Sequence, residues 1–204
     1  MTHIIAVAAP IGGGKTSLVN AIADKLGDAS TIHFDHYEKI TNEPVQNLLK
    51  WIKDGADFDD LKIPGLAEDL SRLKNGKAVT DPLTNNKISP GKYTIFEMPI
   101  GKEHSETARY IDLLLWVETP LDIALARKVR EFTHDFLMEE KPEKYRACLV
   151  WLDQFLDNYL KIVREVLSIQ KQKVSANADI IINGRNSLET MAQYASGEIL
   201  NSIP

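Results

Sequence analysis

Residues Ala9-Pro10-Ile11-Gly12-Gly13-Gly14-Lys15-Thr16 set three glycines, a lysine and a threonine where backbone and side chains can converge on one polyphosphate. The order follows the phosphate-loop pattern G-x-x-x-x-G-K-[ST], with Ala9 in place of the first glycine. Gly12, Gly13 and Gly14 allow positive φ, so the backbone can turn its N–H groups inward as an anion nest. A helix opening at Thr16-Ser17 would point further free N–H groups at the same spot. Lys15 supplies a mobile cation for the β- and γ-phosphates of ATP, and the Thr16 hydroxyl is placed to ligate Mg²⁺. An eight-residue pattern gains weight from its setting, a buried strand before it and a helix after it.

Other chemistry-bearing residues follow downstream. Asp35 comes just after the second strand, and ligands of open α/β sheets sit beyond the carboxyl ends of strands. A carboxylate there can orient an acceptor hydroxyl, take its proton and help hold Mg²⁺; the plain alternative is a helix cap. His36 and Tyr37 either line the acceptor pocket or pack. Glu97 ends a buried strand at the same sheet edge, where it can hold a metal-bound water or an acceptor hydroxyl. Arg127 and Arg130 lie three apart on a helix and share a face. They either close on the phosphates as a lid or form a solvated basic face with Lys128; Arg146 is a further lid candidate. Asp57, Asp59 and Asp60 are sugar-hydroxyl candidates or a solvated acidic loop. His104 and His134 lack ligand spacing, and Cys148 is the one cysteine, so a protein-bound zinc site is not expected.

These residues need elements to position them. Ile4 to Ala9 is a nearly all-apolar run, the mark of a strand buried on both faces of a parallel sheet. Thr16 to Leu26 reads as a helix stopped by Gly27, and Thr31 to Phe34 as a second strand. Val45 to Lys53 and Leu66 to Lys74 read as helices, and Ala78 to Ile88 as a β-hairpin off the main sheet. Further strands are expected at Tyr93 to Phe96, Leu113 to Val117 and Asp179 to Ile182. Helices are expected at Leu121 to Phe132, Tyr145 to Gln170 and near Leu188 to Ala195, with a charged stretch Glu139 to Lys144 between the first two. The alternation gives an α/β fold: a three-layer P-loop sandwich, a parallel sheet of about five strands with helices on both faces. One domain is expected over residues 1–204, with a substrate-side insertion at 54–92 and a lid region at 127–146.

Composition narrows the function classes. The 204 residues are 44% hydrophobic and 26% charged, with net charge −5. That balance lacks the basic surface of a nucleic-acid binder. The longest later apolar stretch, Leu113 to Val117, is far short of the ~20 residues a membrane helix needs. A single cysteine excludes an intramolecular disulfide and points to a reducing, cytoplasmic compartment. Asn86-Lys87-Ile88-Ser89 lacks the aspartate of a guanine-specifying N-K-x-D, so a GTPase is not expected. The Tyr145 to Gln170 helix has apolar surface enough to serve a homodimer as well as a core.

The ordered landmarks resemble the uridine kinase and phosphoribulokinase group of P-loop kinases. Phe34-Asp35-His36-Tyr37 resembles that group's Asp-x-Phe-Tyr segment. Leu66 to Pro82, with Leu70, Leu73, Lys74-Asn75-Gly76, Val79 and Pro82, is similar to the stretch leading into its substrate hairpin. Ile95-Phe96-Glu97 resembles its strand ending in glutamate, and Ile111-Asp112 through Glu131 its strand, helix and arginine-bearing lid. Ala178 to Ile182 resembles its last strand, and Asn183-Gly184-Arg185 the loop that passes the adenine. The resemblance implies ATP, Mg²⁺ and transfer of the γ-phosphoryl group to a small-molecule hydroxyl, with Asp35 as the acceptor-side carboxylate. Two departures stand in the hairpin: Leu83 replaces a tyrosine, and Asn86-Lys87-Ile88-Ser89 replaces a His-x-Arg segment that holds the nucleoside. The acceptor readings are therefore a nucleoside first, then pantothenate, nicotinamide riboside or glycerate. A non-catalytic ATP-binding regulator and a plain or DNA-linked ATPase are the alternatives.

Overall fold

The computed structural model describes residues 2–38, 45–138 and 142–203. Its first strand, β1 (His3–Ala8), is buried from Ile4 onward. An all-apolar strand with no polar face is stable only between two layers, and β1 sits at the middle of the main sheet. The order is β2 (Ala29–Ile32), β5 (Tyr93–Glu97), β1, β6 (Leu113–Glu118), β7 (Ile180–Asn183). Every neighbouring pair is parallel.

Register matters more than order for the site. Val7 pairs with Glu97, and Ile32 pairs with Phe96. The phosphate loop, Glu97 and the turn after β2 therefore all leave the sheet at one edge, their strands ending within about two residues of one another.

The two sides of each strand feed two cores. Ile5, Val7, Ile95, Leu115 and Ile182 pack with Leu18, Val19 and Ile22 of α1 (Lys15–Leu26) and with Met191, Ala195 and Ile199 of α8 (Leu188–Ser202). Ile4, Ala6, Ala8, Phe96, Leu114 and Trp116 pack with Leu66, Leu70 and Leu73 of α3 (Leu66–Lys74). Alternate residues of a strand face opposite ways, so one apolar run supplies both layers. The helix and strand arrangement is the three-layer α/β sandwich expected from the sequence, with five strands.

Several bounds differ from expectation for local reasons. β2 ends at Ile32, two residues early, because Phe34 buries its ring from a single 3-10 turn (Phe34–His36). α5 (Leu121–Met138) runs past Phe132 to Met138. Phe132 stacks on Trp151 of α6 (Tyr145–Asn158) and lies 4.8 Å from the Phe136 ring, which gives the extra turns a partner. The expected helix Tyr145 to Gln170 is interrupted by a five-residue π turn, Tyr159–Val163, before α7 (Arg164–Ala176). The wider turn rotates the buried face, so α6 meets α5 while Leu167, Gln170 and Val174 of α7 turn inward. Residues 139–141, within the expected charged stretch and lid region, lie outside the described residues.

α2 (Val45–Lys53) and α3 match their expected bounds. The hairpin forms as well: β3 (Val79–Thr80) pairs antiparallel with β4 (Lys87–Ile88), closed by Asp81 N–H donating to Asn86 O at 2.9 Å. A four-residue helix, α4 (Ser105–Ala108), follows β5. Among the described residues no helix is long and apolar enough to cross a membrane.

Candidate active site

The phosphate loop is shaped by backbone. Gly12 and Gly14 hold φ of +74° and +86°, where side chains are strained. A Cβ on Gly12 would lie 2.0 Å from Ala124 O, so this glycine is also required by the close approach of α5. A Cβ on Gly13 would lie 2.7 Å from the Ala9 Cβ and 2.8 Å from Pro10 O. Ala9 itself is fully buried. The methyl group that departs from the glycine pattern thus fills space above Gly13, which leaves the loop intact.

No side chain caps the N-terminus of α1, and its first turn carries no acidic residue. Its leading N–H groups are thus available to an anion. Thr16 and Ser17 are exposed at this mouth. The Lys15 ammonium donates to Ala9 O at 3.2 Å and Pro10 O at 3.3 Å. Burial lowers its pKa, Glu97 and Asp35 oppose that, and Lys128 adds to it. Gln170 of α7 braces the same loop: its amide nitrogen donates to Ala9 O at 3.2 Å and to Pro99 O at 2.6 Å.

Two carboxylates stand beside the loop in contrasting settings. Glu97 is only 3% exposed. Burial would raise its pKa, but hydrogen bonds from His33 and the Thr16 hydroxyl, with the charge of Lys15, carry it below the usual carboxylate range. His33 Nδ1 lies 3.3 Å from Glu97 Oε1, and that contact raises the His33 pKa against the effect of burial. Asp35 sits in the 3-10 turn with its side chain exposed. Desolvation on its protein side and the nearby Glu97 charge raise its pKa, and Lys15 pulls the other way.

The neighbours of Asp35 are engaged elsewhere. His36 Nδ1 lies 2.6 Å from Asp81 Oδ2. Tyr37 is buried, and its hydroxyl donates to Asp69 Oδ2 at 2.9 Å. Burial and the Asp69 contact push the Tyr37 pKa up.

α5 packs Ala124 and the Lys128 Cβ against the loop, and the Lys128 ammonium lies 3.3 Å from Glu131 Oε1. Successive helix residues turn by about 100°, so Ala124 and Lys128 share the loop-facing side. A Cβ on Gly12 would lie 3.2 Å from the Lys128 Cβ, and Lys128 acts electrostatically on both Lys15 and Asp35. Arg127 is half-buried at the margin of that side, and Arg130 is exposed on another. Neither takes part in an ion pair among the described residues.

Arg185 is exposed after β7, its N–H donating to Asn183 Oδ1 at 3.1 Å. The preceding Gly184 is buried against Thr119 at the end of β6. Asp57 and Asp59 serve the loop before α3: Asp57 accepts from Asp59 N–H, and Asp59 accepts from Ser105 N–H at 2.6 Å. Cys148 is buried. A cavity of about 730 Å³ beside β2, lined by Asn20, Asp24, Thr31, Lys87 and Ser89, contains none of the loop residues.

His33, Asp81, Lys128 and Gln170 were not singled out as site residues by sequence. Only His33 left a signal, as a polar residue between the end of β2 and Asp35. The other three reach the site from the hairpin, α5 and α7, distant in sequence.

No family model matches the chain. It is 26% identical over 190 residues to the uridine kinase of Geobacillus kaustophilus, covering 88% of this chain and 84% of that protein. Among solved structures, a possible uridine kinase from Bacillus stearothermophilus superposes with TM-score 0.55 at 11% identity, covering 88% of each chain. Shikimate kinase from Acinetobacter baumannii gives TM-score 0.55 at 17% identity, covering 100% of this chain and 96% of that one. The solved structures share the fold, and together with the glycine loop the similarity to curated uridine kinases indicates an ATP-dependent small-molecule kinase of the P-loop type that resembles uridine kinases.

Proposed function

We propose that this kinase transfers the γ-phosphoryl group of ATP to a hydroxyl of a small polar metabolite, with a nucleoside the first candidate. The supporting observation is the divergence of two neighbouring carboxylates. Hydrogen bonds from His33 and Thr16 and the charge of Lys15 lower the Glu97 pKa, while desolvation and the Glu97 charge raise that of Asp35. Paired acidic groups whose environments push their pKa values apart are suited to different roles. Glu97 holds charge; Asp35 accepts the proton of the acceptor hydroxyl as its oxygen attacks.

The residues present fit ATP and Mg²⁺. The uncapped α1 N-terminus and the Gly12–Gly14 nest offer N–H donors to phosphate oxygens, and Lys15 adds a cation. Among the described residues no cluster of three or more His, Cys, Asp or Glu side chains forms a protein metal cage. Thr16 and one or two carboxylates, Glu97 and Asp35, are the sparse oxygen set that suits Mg²⁺, which keeps waters and phosphate oxygens as its other ligands. Bound there, the ion would neutralise charge on the phosphates. Lys128 and Arg127 contribute positive charge from α5, and Arg185 borders the nucleotide-base side. The Asn86-Lys87-Ile88-Ser89 segment and Leu83 keep a sugar acid or vitamin precursor as the second acceptor reading.

The test is acceptor-dependent ADP release across nucleosides, pantothenate, nicotinamide riboside and glycerate, with Lys15→Ala as blank. Asp35→Asn should retain ATP binding and lose about 10²–10⁴-fold in kcat. Wild-type turnover by Asp35→Asn would remove Asp35 from the reaction. Tight ATP binding with no stimulation by any acceptor would favour a nucleotide-binding regulator.

A further inference from the structure

Asp35 is carried on three residues of 3-10 turn, a short element with little structure of its own. What fixes it is its neighbours. Phe34 is buried in the core. His33 contacts Glu97 at the end of β5, Tyr37 contacts Asp69 on α3, and His36 contacts Asp81 at the base of the hairpin. Three flanking side chains thus reach three separate elements, while Asp35 itself is exposed.

The hairpin anchor differs from the other two. β5 lies inside the sheet and α3 buries Leu66, Leu70 and Leu73, so both are fixed by their own cores. The hairpin has two residues per strand; Val79 at its base is buried in the α3 core, but Leu83 at its tip is 65% exposed. Its turn is held by Asp81, which is 4% exposed. The two Asp81 oxygens divide their work. Oδ1 accepts the N–H groups of Leu83 at 3.0 Å and Thr84 at 2.8 Å, which shapes the turn. Oδ2 lies 2.6 Å from His36 Nδ1, one residue from Asp35. A buried carboxylate with one oxygen on each of two elements couples their positions, because neither element can move without stranding a desolvated oxygen.

We propose that Asp81 and His36 form a clasp between the hairpin and the Asp35 turn, making both of them positioning residues that register the acceptor hydroxyl against Asp35. This rests on the reading of the chain as a kinase whose hairpin borders the acceptor. His36 then acts on Asp35 from behind, its Nδ1 committed to Asp81. A productive attack geometry tolerates displacements well under 1 Å, so a loosened clasp acts on transfer and leaves nucleotide binding alone.

The test is a double-mutant cycle read two ways. Asp81→Ser keeps an oxygen for the turn but not the reach to His36; His36→Ala breaks the clasp from the other side and leaves the hairpin turn untouched. Each variant should lower acceptor kcat/KM by about tenfold or more with the KM for ATP within about twofold, and the double variant should be no worse than the weaker single. His36→Gln, which restores a donor, should recover part of the loss. Amide exchange of 33–38 and of 79–86 should accelerate together in each single variant. Additive losses, or faster exchange confined to the mutated element, would overturn the clasp. If the wild type transfers phosphoryl to no acceptor, the kinase reading fails, and the exchange coupling alone decides the clasp.

Discussion

The phosphate loop and the acceptor side meet at one sheet edge but are built from different material. The loop is backbone: Gly12 and Gly14 at positive φ, an uncapped helix start, and Ala9 packed over Gly13. The acceptor side is side chains: His33 on Glu97, His36 on Asp81, Tyr37 on Asp69, drawn from β2, β5, the hairpin and α3. A backbone site depends on few residues close together in sequence and tolerates change around it. A side-chain site depends on many partners far apart, and its specificity can change by one substitution in any of them. The hairpin departures at Leu83 and Asn86 to Ser89 fall on this second kind of site.

That contrast can be broken at either end. The largest effect is expected from Gly12→Ala, whose methyl group would meet Ala124 O at 2.0 Å in a backbone region unsuited to alanine. Displacing α5 or the loop should cost about 1–3 kcal/mol, read as a nucleotide affinity lowered roughly 5- to 150-fold in calorimetric titration. Unchanged affinity would show that the loop is less dependent on its backbone shape than its geometry implies.

Gln170→Leu comes next. It keeps the volume, removes the side-chain donor to Pro99 O and leaves Ala9 O with Lys15 as its side-chain donor. Urea unfolding should show a loss of about 1–3 kcal/mol. A neutral result would mean that water replaces the amide.

Acid stability separates the two regions further. Burial favours neutral Asp81, but the Thr84 and Leu83 N–H groups and His36 outweigh it and hold its pKa at about 2, against an ordinary 3.8. A carboxylate depressed in the folded state stabilises it above the unfolded pKa. That contribution is lost as pH falls from about 4 through about 2. Melting temperature followed over this range should drop less steeply in Asp81→Asn than in the wild type.

The smallest effects should come from α5. Lys128→Ala should lower kcat by about tenfold through lost charge near the phosphates, while Arg130→Ala should change it less than about threefold. The reverse order would restore the arginine lid suggested by spacing and show that α5 turns on nucleotide binding.

Much of the fold could be read from the chain. The Ile4 to Ala9 run, the glycine loop and the stop at Gly27 gave the first strand, loop and helix to within a residue or two, since each is a local pattern. Phe34 misled because an apolar residue beside a strand looks like its continuation, and here it packs from a turn. The π turn at Tyr159–Val163 was not visible, because apolar residues spaced for one helix fit two helices offset by one residue equally well. In the sequence Lys128 reads only as part of a basic face, since pairs of arginines at helical spacing are conspicuous and the approach of Ala124 to Gly12 is not.

The sequence by itself determined the phosphate loop, the alternation that makes a parallel sheet, and the positions of Asp35 and Glu97 after two of its strands. These follow from propensities and periods that act over a few residues. Only the tertiary structure decided which partners surround those carboxylates: the Val7–Glu97 register, His33 on Glu97, Asp81 beneath His36, and Gln170 against Ala9. Such partners are 45 to 161 residues apart where they come from the hairpin, β5 and α7. The environments that lower Glu97 and raise Asp35 exist only once packing has removed water and brought those groups within a few ångströms.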